Sequence, residues 1–189
     1  MQTYITSDRH LGHVNMTKEG DDFVGRGFET VAEMNEHIIQ AHNSIVKAED
    51  LTIDLGDTSL MVRPKDVFDM YSRMNGAFII IKGNHDSAKV LNYLNKHNYK
   101  LPSGLMKFEI HEVGYRFKKD GKIFYCTHYP LQIGDRGKTY NLHGHIHQYK
   151  SPLNFGINLG IDSPEIDVPF AVPLTIEHAI ELVVEKSQD

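Results

Sequence analysis

Short apolar strands alternate with amphipathic helices through the first half of the chain, and this alternation constrains the fold more than any other feature. The strand-like runs lie at 2–6, 51–55 and 77–81, and the helix-like segments at 30–47, 64–74 and 87–98. Consecutive strands joined through a helix form right-handed crossovers, which make the strands parallel neighbours in one sheet. The alternation therefore predicts a mostly parallel sheet whose outer face is covered by these helices.

The second half contains shorter strand-like pieces that are separated by glycines. They lie at 106–112, 115–118, 122–127, 139–143 and 157–161, and a final helix is predicted at 175–185. Short strands with glycine breaks are typical of hairpins, so we expect hairpins and a second sheet here. No repeat, low-complexity tract or linker marks a boundary. We therefore expect an α/β fold with two sheets in a single domain, residues 1–189.

Composition limits the function classes. A chain of 189 residues can bury a core without a disulfide or a metal, so any metal site would serve function. The formal net charge of −5 argues against a broad basic face for nucleic acid, which leaves nucleic acid as a substrate at one site. Cys126 is the single cysteine, and no signal-like segment or membrane-length apolar run is present. We expect a soluble, cytoplasmic protein without membrane contact.

Five groups of polar residues each follow a predicted strand directly. They are Asp8 with His10, Asp57, Asn84 to Asp86, His128, and His145 with His147. In open α/β sheets, ligands bind beyond the carboxyl ends of the strands. Gly56, Gly83 and Gly144 stand immediately before three of the groups, where the backbone must turn sharply and approach a ligand closely. The sequence therefore predicts a single rim of polar side chains.

The side chains of this rim are typical of a metal centre. Two carboxylates, one carboxamide and at least four imidazoles, without a thiolate, suit Mn, Fe, Zn, Ni or Co and outnumber the ligands of one tetrahedral ion. Two ions are the simpler interpretation. A shared carboxylate would hold them about 3.5–4 Å apart, a spacing that activates water and binds a phosphoryl group. We expect Asp57 to be that bridge.

The order of these motifs resembles that of a known family. Asp8-Arg9-His10, Gly56-Asp57, Gly83-Asn84-His85-Asp86, His128 and Gly144-His145-Ile146-His147 together resemble the calcineurin-like metallophosphoesterase superfamily. The stretches 26–28, 33–36 and 158–162 resemble its small bacterial and bacteriophage branch. The resemblance implies the fold of that superfamily, a two-sheet mixed β sandwich flanked by helices, α/β/β/α.

The resemblance also implies a role for each motif residue. One metal would bind Asp8, His10, Asp57 and His147, and the other Asp57, Asn84, His128 and His145. A metal-bound hydroxide would attack phosphorus, His85 would protonate the leaving oxygen, and Asp86 would orient His85. We expect two divalent metal ions as cofactors, Mn first, with Fe, Zn, Ni, Co and Mg as alternatives.

The phosphate oxygens of a substrate require cationic or amide donors. Arg9, His13 and Arg26 are the candidates that the motifs favour, and Arg136 and Lys138 are further candidates. His143 is next to the metal motif, but adjacent residues of an extended chain point to opposite sides, so we expect it to pack or to support a ligand.

These features predict a hydrolase that acts on phosphoric ester bonds. Phosphodiesters are favoured, including cyclic nucleotides and nucleic-acid ends, because so short a chain leaves the rim without a large capping domain. A phosphomonoesterase acting on nucleotides or proteins is the alternative, and a catalytically silent metal-binding module is a second one. A β-lactamase or amidohydrolase type of metallohydrolase disagrees with the late position of the HxH motif. The expected partner is a small phosphate ester or nucleotide, and the oligomeric state stays open.

Overall fold

The computed structural model describes residues 1–18, 25–134 and 137–188. The strands are β1 (Thr3–Thr6), β2 (Leu51–Asp54), β3 (Ala77–Ile81), β4 (Phe108–His111), β5 (Gly114–Lys119), β6 (Lys122–Thr127), β7 (Thr139–His143), β8 (Gly156–Asn158) and β9 (Leu174–Thr175). The helices are α1 (Val31–Ile45), α2 (Pro64–Arg73), α3 (Ala88–Lys96) and α4 (Ile176–Lys186), with a 3-10 helix at Val14–Thr17. Among these residues, none of the helices has the length and apolar character needed to cross a membrane.

The first sheet has the strand order β4-β3-β2-β1-β9. Strands β1 to β3 are parallel, as the alternation predicts. Strand β4, which was expected among the hairpins of the second half, is parallel to β3, and the short β9 is antiparallel to β1. The strand expected at 106–112 joins this sheet, since Phe108 pairs with Phe78 and Ile110 with Ile80. Helix α3 forms the crossover that makes β3 and β4 parallel neighbours.

The second sheet has the order β5-β6-β7-β8. Strands β5 and β6 form the expected hairpin, with Asp120 and Gly121 at φ 49° and 70° in the two-residue turn that an Asp-Gly pair favours. The expectation of further hairpins is wrong for β6–β7 and β7–β8, because both pairs run parallel. The predicted α/β architecture with two sheets and flanking helices is confirmed.

Both faces of the first sheet are buried, which explains the continuous apolar run of β3. Phe78 and Ile80 pack into the cluster formed with α1, α2 and α3, whereas Ile79 and Ile81 pack against the second sheet. Helix α4 contributes Val183 to this second cluster. The sandwich therefore has a helix-facing core and a core between its sheets.

Local signals set the helix starts. The hydroxyl oxygens of Thr30, Ser87 and Thr175 each accept a hydrogen bond from an amide of the first turn of α1, α3 and α4. The Glu33 carboxylate accepts from the amide of Glu29, the residue before the Thr30 cap. Pro64 begins α2, where a missing N–H costs no helical hydrogen bond.

Arg9 lies in the helix-facing core, and the expectation that it binds substrate is wrong. Its side chain is 1% exposed, and its Nη1 donates to Asp54 Oδ2 at 2.8 Å. Nη2 is 3.1 Å from His42 Nδ1, and the guanidinium lies over the Phe78 ring. Asp54 Oδ2 also accepts from the Tyr71 hydroxyl at 2.7 Å. The Asp54 carboxylate draws Arg9 into the core and away from the strand-end rim.

We expect Arg9→Met to lower the free energy of unfolding by about 3–5 kcal/mol, because it leaves the buried charge of Asp54 without its partner. The control is Arg63→Met, which breaks the exposed pair with Asp66 and should barely move the unfolding midpoint. Urea unfolding followed by circular dichroism measures both. Equal small losses in the two variants would contradict the structural role of Arg9.

Candidate metal centre

Two groups of three side chains meet where the two sheets end. The first group is Asp8, His10 and His147, and the second group is Asp57, His128 and His145. Within each group the candidate ligand atoms lie within 4.8 Å of one another. The structure thus brings residues that are far apart in the sequence into two groups, each of which contains three of the four ligands that the resemblance implies for one metal.

The Asp57 carboxylate lies between the two groups. Its Oδ2 is 3.6 Å from His10 Nε2 and 3.4 Å from His128 Nε2. Its Oδ1 accepts a hydrogen bond from the His85 amide at 2.8 Å, which fixes the carboxylate plane. One oxygen is therefore held by the backbone, while the other faces ligand atoms of both groups, as a bridging carboxylate requires.

His128 and Asn84 meet at the second group. His128 Nδ1 donates to the Leu55 carbonyl oxygen at 3.0 Å, which leaves Nε2 to face the centre. Asn84 Oδ1 lies 2.9 Å from that Nε2. Asn84 therefore presents its oxygen at the same point as His128 and Asp57.

Buried polar atoms at this place have no hydrogen-bond partner among the described residues. They include both ring nitrogens of His10 and Asp57 Oδ2. Unpaired buried polar atoms are costly, and nitrogen and carboxylate donors that converge in this way are satisfied by a divalent cation. The residues present therefore fit the binding of divalent metal ions.

The charge states of the free side chains suit metal binding. Burial lowers the pKa of His10 to about 2, so its imidazole is neutral and can act as a ligand. Burial raises the pKa of Asp57, but its close contact with His128 and the hydrogen bond from the His85 amide outweigh burial and lower the pKa to about 2. Burial raises the pKa of Asp8, whose carboxylate would gain from a nearby cation.

Many of the candidate ligands have left-handed backbone conformations. The φ angles are 58° at Asp8, 49° at His10, 51° at Asp57, 74° at His145 and 45° at His147. Asp and His adopt this region more readily than most residues, and such strain is concentrated at functional sites. Each of these residues lies a few residues after the end of β1, β2 or β7, where its left-handed conformation turns the chain towards the centre.

The predicted glycine turns are places of close approach. An added Cβ at Gly83 would lie 2.2 Å from Asp57 Oδ1, and one at Gly144 would lie 2.3 Å from Asp8 Oδ2. Gly56 has a φ of 103°, a conformation that L side chains rarely adopt. These glycines let carboxylates pack directly against the backbone of a neighbouring strand end.

His85 is exposed at the rim, with its ring centroid 5.4 Å from that of His10. The expectation that Asp86 orients this ring is wrong, because Asp86 is buried and its carboxylate holds backbone amides. Its Oδ2 accepts from the amides of Asp57 and Gly83, and its Oδ1 from the amide and hydroxyl of Thr58. Asp86 therefore positions the Asp57 turn.

The guanidinium of Arg26 donates its hydrogen bonds to other groups of the protein, so the expectation that it binds phosphate is also wrong. Its Nε and Nη2 donate to the Asp162 carboxylate at 3.0 and 2.7 Å, and Nη2 and Nη1 donate to the carbonyl oxygens of Asp8 and Arg9 at 2.8 Å each. Nη1 also contacts Met34 Sδ. These contacts use the five N–H donors of the guanidinium.

The remaining candidates for substrate binding lie at different distances from the centre. The ring of His13 lies 5.4 Å from that of His10, so His13 is next to the first group. Lys138 precedes β7 at the strand's amino end, opposite the end that carries His145, and it is exposed. Arg136 lies outside the described residues.

Sequence reasoning missed the role of Asp162. Its Oδ2 is 3.5 Å from His147 Nδ1. Burial raises the pKa of Asp162, but interactions with His147 and Arg26 outweigh burial and lower it to about 2, so the group is anionic. Its only signal was its place at the end of the stretch 158–162. His143, expected to pack, is buried and hydrogen-bonds the Gly144 carbonyl and the Ser151 hydroxyl.

Comparisons with known proteins find proteins that are similar over most of the chain. No protein-family model matches it. An uncharacterized protein of Methanocaldococcus jannaschii is 28% identical over 156 residues, which cover 78% of this chain and 84% of that protein. The crystal structure of a protein of unknown function from Aquifex aeolicus has a TM-score of 0.65 at 18% identity, covering 96% of this chain and 98% of that one. YfcE, a phosphoesterase from E. coli, has a TM-score of 0.44 at 16% identity, covering 90% and 85%. The Aquifex structure shows a shared fold.

Gly83→Ala should weaken metal binding, because the new Cβ would displace the Asp57 carboxylate, the shared element of both groups. Isothermal titration with Mn²⁺ measures the loss. Gly121→Ala is the control, since nothing lies within 4 Å of the added methyl and only turn strain is expected. Equal metal affinity in both variants would disagree with the close approach at Gly83.

Proposed function

We propose that the chain is a dimetal phosphoesterase of the calcineurin-like metallophosphoesterase superfamily. The observation that carries this proposal is the position of Asp57 Oδ2, which faces His10 Nε2 and His128 Nε2 from between the two groups. When bound, two divalent ions would activate a water for attack on phosphorus and neutralise charge on the phosphoryl oxygens. Mn²⁺ is the first candidate, with Fe, Zn, Ni, Co and Mg as alternatives.

His85 is the candidate general acid. Its amide is anchored on Asp57 Oδ1, while its ring is exposed beside His10. An anchored backbone with an exposed imidazole places a proton donor over the centre without making it a buried ligand. Imidazole suits proton transfer near neutral pH, and a positioned general acid contributes about 10²–10⁴ in rate.

The occupied guanidinium groups favour a phosphodiester over a phosphomonoester. Arg9 is buried against Asp54, and Arg26 donates to Asp162 and two backbone carbonyls. Neither offers the bidentate contact that usually binds a phosphomonoester dianion. A phosphodiester carries a single negative charge and needs fewer such donors, so cyclic nucleotides and nucleic-acid ends are the favoured substrate class.

Hydrolysis of bis(p-nitrophenyl) phosphate should require added metal. Protein stripped with a chelator is assayed with Mn²⁺, Ni²⁺, Co²⁺, Zn²⁺ or Mg²⁺ added singly, and p-nitrophenyl phosphate serves as the monoester comparison. We expect restored diester hydrolysis with a higher kcat/KM than for the monoester. Asp57→Asn should abolish this activity, because it removes the charge shared by both groups. Faster monoester hydrolysis would make the protein a phosphomonoesterase, and inactivity with bound metal would favour the silent module.

His85→Ala should lower kcat for the diester by about 10²–10⁴, because the leaving oxygen loses its proton donor. Metal content, measured by inductively coupled plasma mass spectrometry, should stay at the wild-type value, since the exposed ring belongs to neither group of three. His97→Ala, which removes an exposed histidine at the end of α3, is the matched control. Unchanged turnover in His85→Ala would contradict the assignment of His85 as the general acid.

A further inference from the structure

Arg26 connects the turn that carries Asp8 and His10 to the segment that follows β8. Its side chain is 1% exposed. The hydrogen bonds of its guanidinium go to Asp162 and to the backbone of Asp8 and Arg9, and none of those that the structure describes goes to the second group. Two of its hydrogen bonds end on the carbonyl oxygens of Asp8 and Arg9. Asp8 and His10 are both left-handed, so these carbonyls belong to a strained turn. Arg26 therefore stabilises the backbone that presents two ligands of the first group.

Asp162 completes this support from the other side. After β8 the chain crosses from the second sheet to the first, because Gly160 bridges to Ser7 and the Ile161 amide donates to the Ser7 carbonyl. The crossing places the Asp162 carboxylate between Arg26, at 2.7 Å, and His147 Nδ1, at 3.5 Å. An anion at Nδ1 favours a proton on that nitrogen and leaves Nε2 as the ligand atom.

The second group has different supports. His128 is oriented by the Leu55 carbonyl, and the His145 amide donates to the Asp8 carboxylate. Asp57 is held by the His85 amide. In the described part of the chain, none of these contacts includes Arg26 or Asp162.

We propose that Arg26 and Asp162 are positioning residues that set the metal affinity of the first group, Asp8, His10 and His147, and leave that of the second group unchanged. This inference rests on the proposed metal centre. The paired guanidinium and carboxylate act through the Asp8–His10 turn and the His147 ring, and neither residue ligates metal or contacts substrate. Loss of such an outer support typically weakens metal binding about 10–100-fold.

The chemistry of the contacts distinguishes arginine from lysine. Arg26 donates in one plane to both carboxylate oxygens and, at the same time, to two carbonyl oxygens. An ammonium has three donors without a planar fork, so it cannot replace all of these contacts. Arg26→Lys should therefore restore only part of the affinity that Arg26→Met loses.

The test is a Co²⁺ titration of metal-free protein, followed by calorimetry and by visible absorption of the bound ion. His147→Ala and His145→Ala identify which binding step belongs to the first group and which to the second. In Arg26→Met and Asp162→Asn, we expect the step lost in His147→Ala to weaken about 10–100-fold and the other step to keep its affinity. Arg73→Met, which breaks the pair of α2 with Glu36 of α1, is the matched control and should change neither step.

Circular dichroism establishes that each variant is folded before titration. Asp162→Asn keeps the side-chain shape and removes only the charge, so it carries the test even if Arg26→Met does not fold. Equal weakening of both steps, or no weakening of either, overturns the inference and leaves the proposed function standing. Absence of Co²⁺ binding by the wild-type protein overturns both.

Discussion

The Asp57 carboxylate is the element around which the centre is built. Its amide donates to Asp86, its Oδ1 accepts from the His85 amide, and its carbonyl accepts from the His10 amide. These partners are close to the carboxyl ends of three neighbouring parallel strands. A shift of any of those strands would move Oδ2 away from the point where both groups meet. The geometry of the centre therefore depends on the register of the first sheet, which buried apolar side chains on both faces hold in place.

Backbone strain follows from this arrangement. The chain must turn sharply soon after each strand if the side chain of the candidate ligand is to point back to the centre, and the left-handed conformation achieves this. Aspartate suits this conformation at positions 8 and 57, because aspartate tolerates positive φ better than most residues. Gly83 and Gly144 then provide the space into which those carboxylates pack. The alternation of glycine and ligand in the sequence is thus a consequence of close packing between strand ends.

Local sequence patterns predicted much of the fold and predicted that the candidate ligands lie at one rim. Periodicity and position after a strand could be read in this way because neighbouring residues encode them. The roles of Arg9 and Arg26 were not predictable in this way, since their carboxylate partners are 45 and 136 residues away in the chain. The role predicted for Asp86 was wrong because residues that are adjacent in the sequence need not have side chains in contact, and the Asp86 carboxylate binds backbone amides instead of the His85 ring. Strand β9 has two residues, too few for any periodicity to appear.

The buried cations share one physical origin with the centre. Turns at the strand ends leave carbonyl oxygens without partners in the sheet, and a buried unpaired carbonyl is costly. Arg26 satisfies two such carbonyls beside the first group, and Lys107 donates to those of Met74 and Gly76 at the start of β3. Burial lowers the pKa of Lys107 to about 7, which shows how strongly its environment opposes the charge. Cationic side chains are therefore used to complete the backbone of the sandwich, and their donors are satisfied within the protein.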